Sequence, residues 1–226
     1  MVTRDEQKRS VGRLAAELVR DGMTVGLGTG STANHLIDRL GERLRDGLRI
    51  RAVPTSDRTA ERARALGIPL IALDDVPYLD LAIDGADQVD PRGDLIKGLG
   101  GALYREKRVA RAAREFAVIV DDTKLVDHLG APCPVPVEVE THSVRDVAEA
   151  LSRLGSTPRI REAGGRTYLT DNGHPILDAL FDRIDEPADL EREINAIPGV
   201  VENGLFARMA TRVLVAAPEG IRDWRL

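Results

Sequence analysis

Two carboxylates three residues apart, Asp84 and Asp87, open the segment D-G-A-D-Q-V-D-P-R-G-D-L-I-K-G-L-G-G-A-L-Y-R-E, residues 84–106. The segment then supplies one ammonium, Lys97, set among Gly98, Gly100 and Gly101, and a further acid, Glu106. Acids that pass protons, a cation that steadies developing negative charge and residues without side chains make a set suited to general acid–base chemistry. A second stretch, G-L-G-T-G-S-T at residues 26–32, joins an apolar run to a helical pattern. Backbone N–H groups at such a junction, with Gly30 and the hydroxyls of Thr29, Ser31 and Thr32, can face an anion. A third polar cluster, residues 121–124, ends in Lys124.

Each feature has a plainer explanation. Asp-Gly pairs are common turn residues, R-E-K-R resembles an exposed helical face, and a lone lysine usually carries a solvated charge. The 26–32 loop fits a monophosphate, but a tight turn with a Ser/Thr N-cap accounts for it equally well. Ser31 stands where a dinucleotide fingerprint has its third glycine, residues 53–55 bring no ribose-binding acid, and no Gly-Lys-Ser/Thr follows. The conjunction is what favours function: each group follows a predicted strand, so all are expected on one rim of one sheet.

Other chemistries find little support. His35, His128, His142 and His174 share no ligand spacing, so no metal site is expected, and no Gly-x-Ser-x-Gly elbow is present. Cys133, between Pro132 and Pro134, reads as a packing residue, and a single cysteine fits a reducing cytoplasm. The net charge is −5, and 31% of residues are charged, with both signs mixed and no basic stripe. The chain is therefore not expected to bind nucleic acid. Five of its first ten residues are charged. No run of about 18 apolar residues occurs, so neither a signal peptide nor a membrane span is expected.

The elements needed to position these groups follow from periodicity. Thr3 and Glu6 have capping-box spacing before a helix carrying Val11, Leu14, Ala15 and Leu18. Apolar runs at 23–27, 48–53, 68–73, 79–83 and 116–120 read as strands, with helical patterns from 33 to 44, 60 to 66 and 103 to 114 between them. Alternation of this kind predicts an α/β, Rossmann-like doubly wound sheet. From residue 130 the prolines of A-P-C-P-V-P-V-E-V-E predict a linker or edge strand. A helix at 143–154, short strands at 159–162, 166–170 and 176–180, a helix at 190–196 and a strand at 200–206 read as a small α+β unit. A last strand at 211–217 is expected to return to the main sheet. The expected domains are 1–129 plus 207–226, and 130–206.

In this order, G-L-G-T-G-S-T-A, T-S-D-R-T, D-G-A-D-Q-V-D, L-I-K-G-L-G-G-A-L-Y-R-E-K, D-D-T-K, T-D-N-G-H-P-I-L-D and I-P-G-V-V-E-N-G-L-F resemble ribose-5-phosphate isomerase, type A, over nearly the whole chain. The resemblance implies a Rossmann-like catalytic domain with an α+β, ferredoxin-like lid, a cytoplasmic homodimer, and no metal or cofactor. It further implies interconversion of D-ribose 5-phosphate and D-ribulose 5-phosphate through a cis-enediolate in the pentose phosphate pathway. Glu106 would be the base that moves the carbon-bound proton. Asp84 and Asp87 would handle hydroxyl protons, and Lys97 would stabilise the enediolate oxygen. Substrate contacts would come from Thr29, Gly30, Ser31, Thr32, Asp84, Gly85, Ala86, Asp87, Lys97, Gly98, Leu99, Gly100 and Lys124. Two residues depart from the family pattern: Leu99 replaces a glycine, and Gln88 replaces a glutamate.

Competing functions differ in what they would require. A sugar-phosphate sensor of a transcriptional regulator would carry a helix-turn-helix region ahead of the glycine loop, which here begins by residue 26. A nucleotide-dependent oxidoreductase lacks its ribose-binding acid. A coenzyme A transferase or an amino-sugar phosphate deaminase shares the broad fold.

Overall fold

The computed structural model describes residues 3–226. In chain order the elements are α1 (Arg4–Ala16), β1 (Thr24–Leu27), α2 (Ser31–Arg45), β2 (Arg51–Pro54), α3 (Asp57–Ala65), β3 (Leu81–Asp84), β4 (Gln88–Val89) and β5 (Leu95–Ile96). Then come α4 (Leu103–Ala112), β6 (Phe116–Asp121), β7 (Val135–Val139), α5 (Val144–Arg153), β8 (Thr157–Ile160), β9 (Glu162–Ala163) and β10 (Arg166–Thr167). The chain ends with β11 (Ile176–Leu180), α6 (Pro187–Asn195), β12 (Val200–Asn203), β13 (Leu205–Phe206), β14 (Arg212–Ala217) and β15 (Gly220–Arg225). It divides into two compact units, residues 3–86, 105–124 and 209–226 in the first, and residues 87–104 and 125–208 in the second. No described helix is long and apolar enough to cross a membrane.

The first unit is a six-stranded sheet in the order β15-β14-β6-β3-β1-β2. The strands from β14 to β2 are parallel, and β15 adds antiparallel to β14. That terminal hairpin was not expected from the sequence. The expected strand at 68–73 reduces to a single bridge, Ala52 to Leu70, followed by a 3₁₀ turn at Leu73–Asp75. Successive side chains on a strand point to opposite faces. Val25, Leu27, Leu81, Ile83, Ala117 and Ile119 accordingly pack with α1 and α2 residues Val11, Ala15, Leu36, Ile37 and Leu40. The alternate residues face α4, where a Cβ on Gly26 would lie 2.4 Å from Val109. Helices on both faces make the sheet doubly wound. The capping box of α1 forms as its spacing predicts. The Glu6 N–H donates to Thr3 Oγ1 at 3.2 Å, and the Thr3 N–H donates to Glu6 Oε2 at 2.7 Å.

The second unit contains a four-stranded antiparallel sheet in the order β12-β7-β11-β8. This is the strand order of a ferredoxin-like split βαβ fold. Val147 and Leu151 of α5 and Ile194 of α6 pack on Val135, Val137, Leu177 and Ala179. The proline-rich strand β7 is therefore central, which corrects the expectation of a linker or edge. Pro136 is tolerated because its own carbonyl accepts from Gly204 N–H at 2.7 Å, just past the end of β12. In an antiparallel ladder a residue's N–H and C=O point to the same neighbour, so the missing donor falls where β12 has already ended. A three-stranded sheet, β13-β5-β4, completes the unit, with a small β9–β10 hairpin.

Candidate active site

In the first unit the chain runs from β1 to β2 on one side, then returns to place β3 on the other side of β1. The strand order reverses between β1 and β3, and ligands in open α/β sheets gather at the carboxyl ends of strands at such a point. Gly28 and Asp84 meet there. Gly28 N–H donates to Ile83 O at 2.9 Å, and Asp84 Oδ1 accepts from Thr29 N–H at 3.0 Å and Gly85 N–H at 2.7 Å. The approach is so close that a Cβ on Gly28 would lie 2.0 Å from Asp84 Oδ1. A side chain at residue 28 is thus excluded by the carboxylate itself.

Strand alternation puts Asp84 on the face covered by α4. Leu79 N–H donates to Ala112 O at 2.8 Å, which fixes the end of α4 beside the start of β3, so α4 runs antiparallel to the strand. Val109 lies over Gly26. Glu106 is three residues earlier on the same helical face. Three helical residues rise about 4.5 Å and two strand residues about 6.6 Å, so the spacing carries Glu106 from Val109 in the direction of Gly28 and Asp84. Both acids are buried, Asp84 at 3% exposure and Glu106 at 4%. Lys107 is fully buried as well. R-E-K-R is therefore not the exposed face its composition resembles: only its arginines reach outward, Arg105 to Asp57 at 2.7 Å and Arg108 to Asp74 at 2.7 Å.

The glycine loop joins β1 to α2 as the strand–loop–helix pattern predicts, with Gly30 and not a serine or threonine as the N-cap. Gly30 has φ +121° and precedes α2, with no side-chain cap. The first amides of α2 have no intrahelical acceptor, and exposed Ser31 and half-buried Thr32 stand beside them. Thr29 behaves differently. Its hydroxyl turns into a cluster, 2.8 Å from Thr55 Oγ1, 2.8 Å from Ser56 Oγ and 3.1 Å from Thr59 Oγ1. The Thr55 hydroxyl donates to Leu27 O at 3.0 Å and that of Thr59 to Gly28 O at 3.0 Å. Four hydroxyls, from the loop after β1, the segment between β2 and α3, and the first turn of α3, thereby hold the turn whose amide grips Asp84. From periodicity T-S-D-R-T reads as a helix start, and its hydroxyl repeat was the available signal. Half-buried Lys124 lies in a 3₁₀ turn beyond β6, after Asp121, whose Oδ1 accepts from Thr123 N–H at 3.1 Å.

Asp87 and Lys97 lie in the second unit. They are carried on the β13-β5-β4 sheet and not, as expected, on the rim of the main one. The cause is the pairing of the 87–104 excursion with β13, Leu205 opposite Ile96. Asp87 N–H donates to Ile96 O at 2.8 Å and Lys97 N–H to Gly204 O at 2.8 Å, so the hairpin fixes both backbones. Lys97 is 3% exposed, its ammonium 5.4 Å from the Phe206 ring centre. Asp87 Oδ2 accepts from Leu99 N–H at 3.0 Å. Gly101 is required, since with φ +83° a Cβ would lie 2.0 Å from the Tyr168 hydroxyl oxygen. Leu99 has no left-handed φ and is 42% exposed, so the departure from glycine brings no strain. Gln88 explains itself too. Its amide nitrogen donates to Gly130 O at 2.9 Å and its amide oxygen accepts from Gly130 N–H at 2.9 Å. An ionised glutamate lacks the donor to make that pairing.

Among the described residues no group of three or more His, Cys, Asp or Glu side chains could hold a metal ion. Each unit thus carries groups suited to proton chemistry: buried Asp84 and Glu106 in the first, with Asp84 gripped by two backbone N–H groups, and Asp87 and buried Lys97 in the second, with Asp87 gripped by the Leu99 N–H.

The family described as "Ribose 5-phosphate isomerase A (phosphoriboisomerase A)" matches residues 51–220. A ribose-5-phosphate isomerase A of Gluconobacter oxydans (strain 621H) is 51% identical over 222 residues, covering 96% of this chain and 95% of that protein. One from Thermococcus kodakarensis is 46% identical over 222 residues, covering 96% and 97%. A solved ribose 5-phosphate isomerase A from Methanocaldococcus jannaschii superposes with a TM-score of 0.95 at 42% identity over 99% of this chain and 100% of that one. A D-ribose-5-phosphate isomerase solved in complex with phospho-erythronic acid gives a TM-score of 0.97 at 42% identity, with the same coverage.

Proposed function

The chain belongs to the ribose 5-phosphate isomerase A family, and on that premise we propose that it interconverts D-ribose 5-phosphate and D-ribulose 5-phosphate through a cis-enediolate in the non-oxidative pentose phosphate pathway. In the aldose-to-ketose direction Glu106 takes the proton from C2 and returns it to C1 on the same face. Asp84 and Asp87 carry the hydroxyl proton from O2 to O1 and assist furanose ring opening. Lys97 steadies the negative oxygen of the enediolate, the kind of preorganised charge that commonly supplies the largest catalytic contribution. Thr29–Thr32 (by its amides and the hydroxyls of Ser31 and Thr32), Gly85, Ala86, Gly98, Leu99, Gly100 and Lys124 contact the substrate. No metal or cofactor enters, and the working form is a cytoplasmic homodimer in which residues 130–206 form the lid and association domain.

The observation that carries this is the burial of Asp84, Lys97 and Glu106 at 3%, 3% and 4% exposure. Ionisable groups are costly to desolvate, and buried ones concentrate where chemistry uses them. The phospho-erythronic acid held by the solved relative supports the substrate class. Its carboxylate and phosphate on a four-carbon chain have the charge pattern of an enediolate phosphate. Replacing Glu106 with Gln is expected to lower turnover by about 10³-fold, within the range of general-base removal. Ribose 5-phosphate binding should stay within roughly tenfold, about 1.4 kcal/mol. Near-normal turnover in Glu106→Gln would remove Glu106 from the role of base. Activity should survive exhaustive chelation, and a metal requirement would point to hydride transfer instead.

A further inference from the structure

Arg161 follows β8 in the second unit, its side chain 12% exposed. All three of its guanidinium nitrogens donate. Nε donates to Asp178 Oδ2 at 2.9 Å, Nη2 binds Asp178 Oδ1, and Nη1 donates to Gly98 O at 3.1 Å and Leu99 O at 3.0 Å. The Tyr168 ring, which packs Gly101, has its centre 5.9 Å from the guanidinium carbon. The peptide group joining Gly98 to Leu99 is held at both ends. Its oxygen accepts from Arg161, and its N–H donates to Asp87 Oδ2 at 3.0 Å. In a trans peptide these two bonds leave in opposite directions. The peptide plane is therefore pinned between a guanidinium on one side and a carboxylate on the other. A cation on the carbonyl oxygen polarises the amide and strengthens its N–H as a donor.

We propose that Arg161, braced by Asp178, is a positioning residue that orients the Asp87 carboxylate through the Gly98–Leu99 peptide. Arg161 touches no substrate atom in this scheme, which rests on the assignment of Asp87 above. A planar fork is needed because one group must serve two carbonyls and a carboxylate together, which an ammonium cannot do with the same geometry.

The test is a double-mutant cycle with ribose 5-phosphate as substrate, reading kcat and KM separately, with thermal midpoints recorded. Arg161→Met is expected to lower kcat by about 10- to 100-fold, the scale of a displacement of about 1 Å at a reacting group, with KM within about threefold. Arg161→Lys should recover part of the loss. In an Asp87→Asn background the same Arg161→Met change should lower kcat by less than about twofold, because its route of action is already gone. Equal losses in both backgrounds, or an unchanged kcat in Arg161→Met, would overturn the inference while leaving the assignment of Asp87 intact. Full activity of Asp87→Asn would strike out that assignment and the Arg161 route together. If Arg161→Met does not fold, Asp178→Asn loosens the same clamp and is subject to the same cycle and the same criteria.

Discussion

Gly28→Ala isolates the contact on which the first unit's site turns. Gly28 has no left-handed φ, so alanine meets no backbone penalty and the perturbation is purely steric. The new methyl would lie 2.0 Å from Asp84 Oδ1, 2.2 Å from Cγ and 2.6 Å from Cα. The last of these is backbone, so rotating the carboxylate alone does not clear the clash, and β1 and β3 must part. Overpacking of this kind costs about 1–3 kcal/mol. The Gly28–Ile83 bond and the two amides on Asp84 Oδ1 are strained at once, each worth about 1 kcal/mol. A total destabilisation of about 2–4 kcal/mol is expected by urea unfolding. A shift of about 1 Å at a reacting group costs about 100-fold, so kcat in a coupled assay of ribulose 5-phosphate formation should fall by that order. Gly30→Ala is the control. It strains a φ of +121° but meets nothing within 4 Å, so it disturbs the loop without pushing on Asp84. The claim that this close approach sets Asp84 would be refuted if Gly28→Ala kept wild-type kcat and lost no more stability than a neutral surface change, about 0.5 kcal/mol.

The hydroxyl cluster makes a second prediction. Thr59→Val keeps shape but removes the hydroxyl that donates to Gly28 O. It should cost about 1–3 kcal/mol with a lower kcat; Thr59→Ser, which keeps the hydroxyl, should restore both in the same unfolding and turnover assays. The surface joining α1 to α2 predicts a pH effect. Hydrogen bonds from Arg13 at 3.0 Å and Arg39 at 2.9 Å hold the Glu42 carboxyl down to about 2. A depressed acid stabilises the fold above its unfolded value near 4.3, and that contribution fades as pH falls toward 2. Glu42→Gln should therefore flatten the acid limb of thermal midpoint against pH between about 4.5 and 2; an unchanged limb would show that these half-buried arginines contribute nothing there.

The residues decided a good deal by themselves. Alternating apolar runs and helical stripes dictate a parallel sheet covered on both faces, because strands so uniformly apolar must be buried on both sides. The Thr3–Glu6 spacing dictates its own capping box, a contact within one turn. Asp84 at the end of a strand and Glu106 at the start of a helix are local facts too. Only long-range pairing could decide the rest. β7 looked peripheral by its prolines, yet lies centrally because its missing donor at Pro136 falls past the end of β12. Asp87 and Lys97 follow a strand-like run in sequence but ride on a separate sheet, since β5 pairs with β13 more than a hundred residues later. R-E-K-R reads as solvated until Glu106 and Lys107 turn inward. The hydroxyls of Thr29, Thr55, Ser56 and Thr59 become one cluster only when β1 and β2 lie side by side. Sequence carries chemistry and short-range periodicity. Which donor reaches which acceptor across tens of residues is set by strand order and register, and these are properties of the folded chain alone.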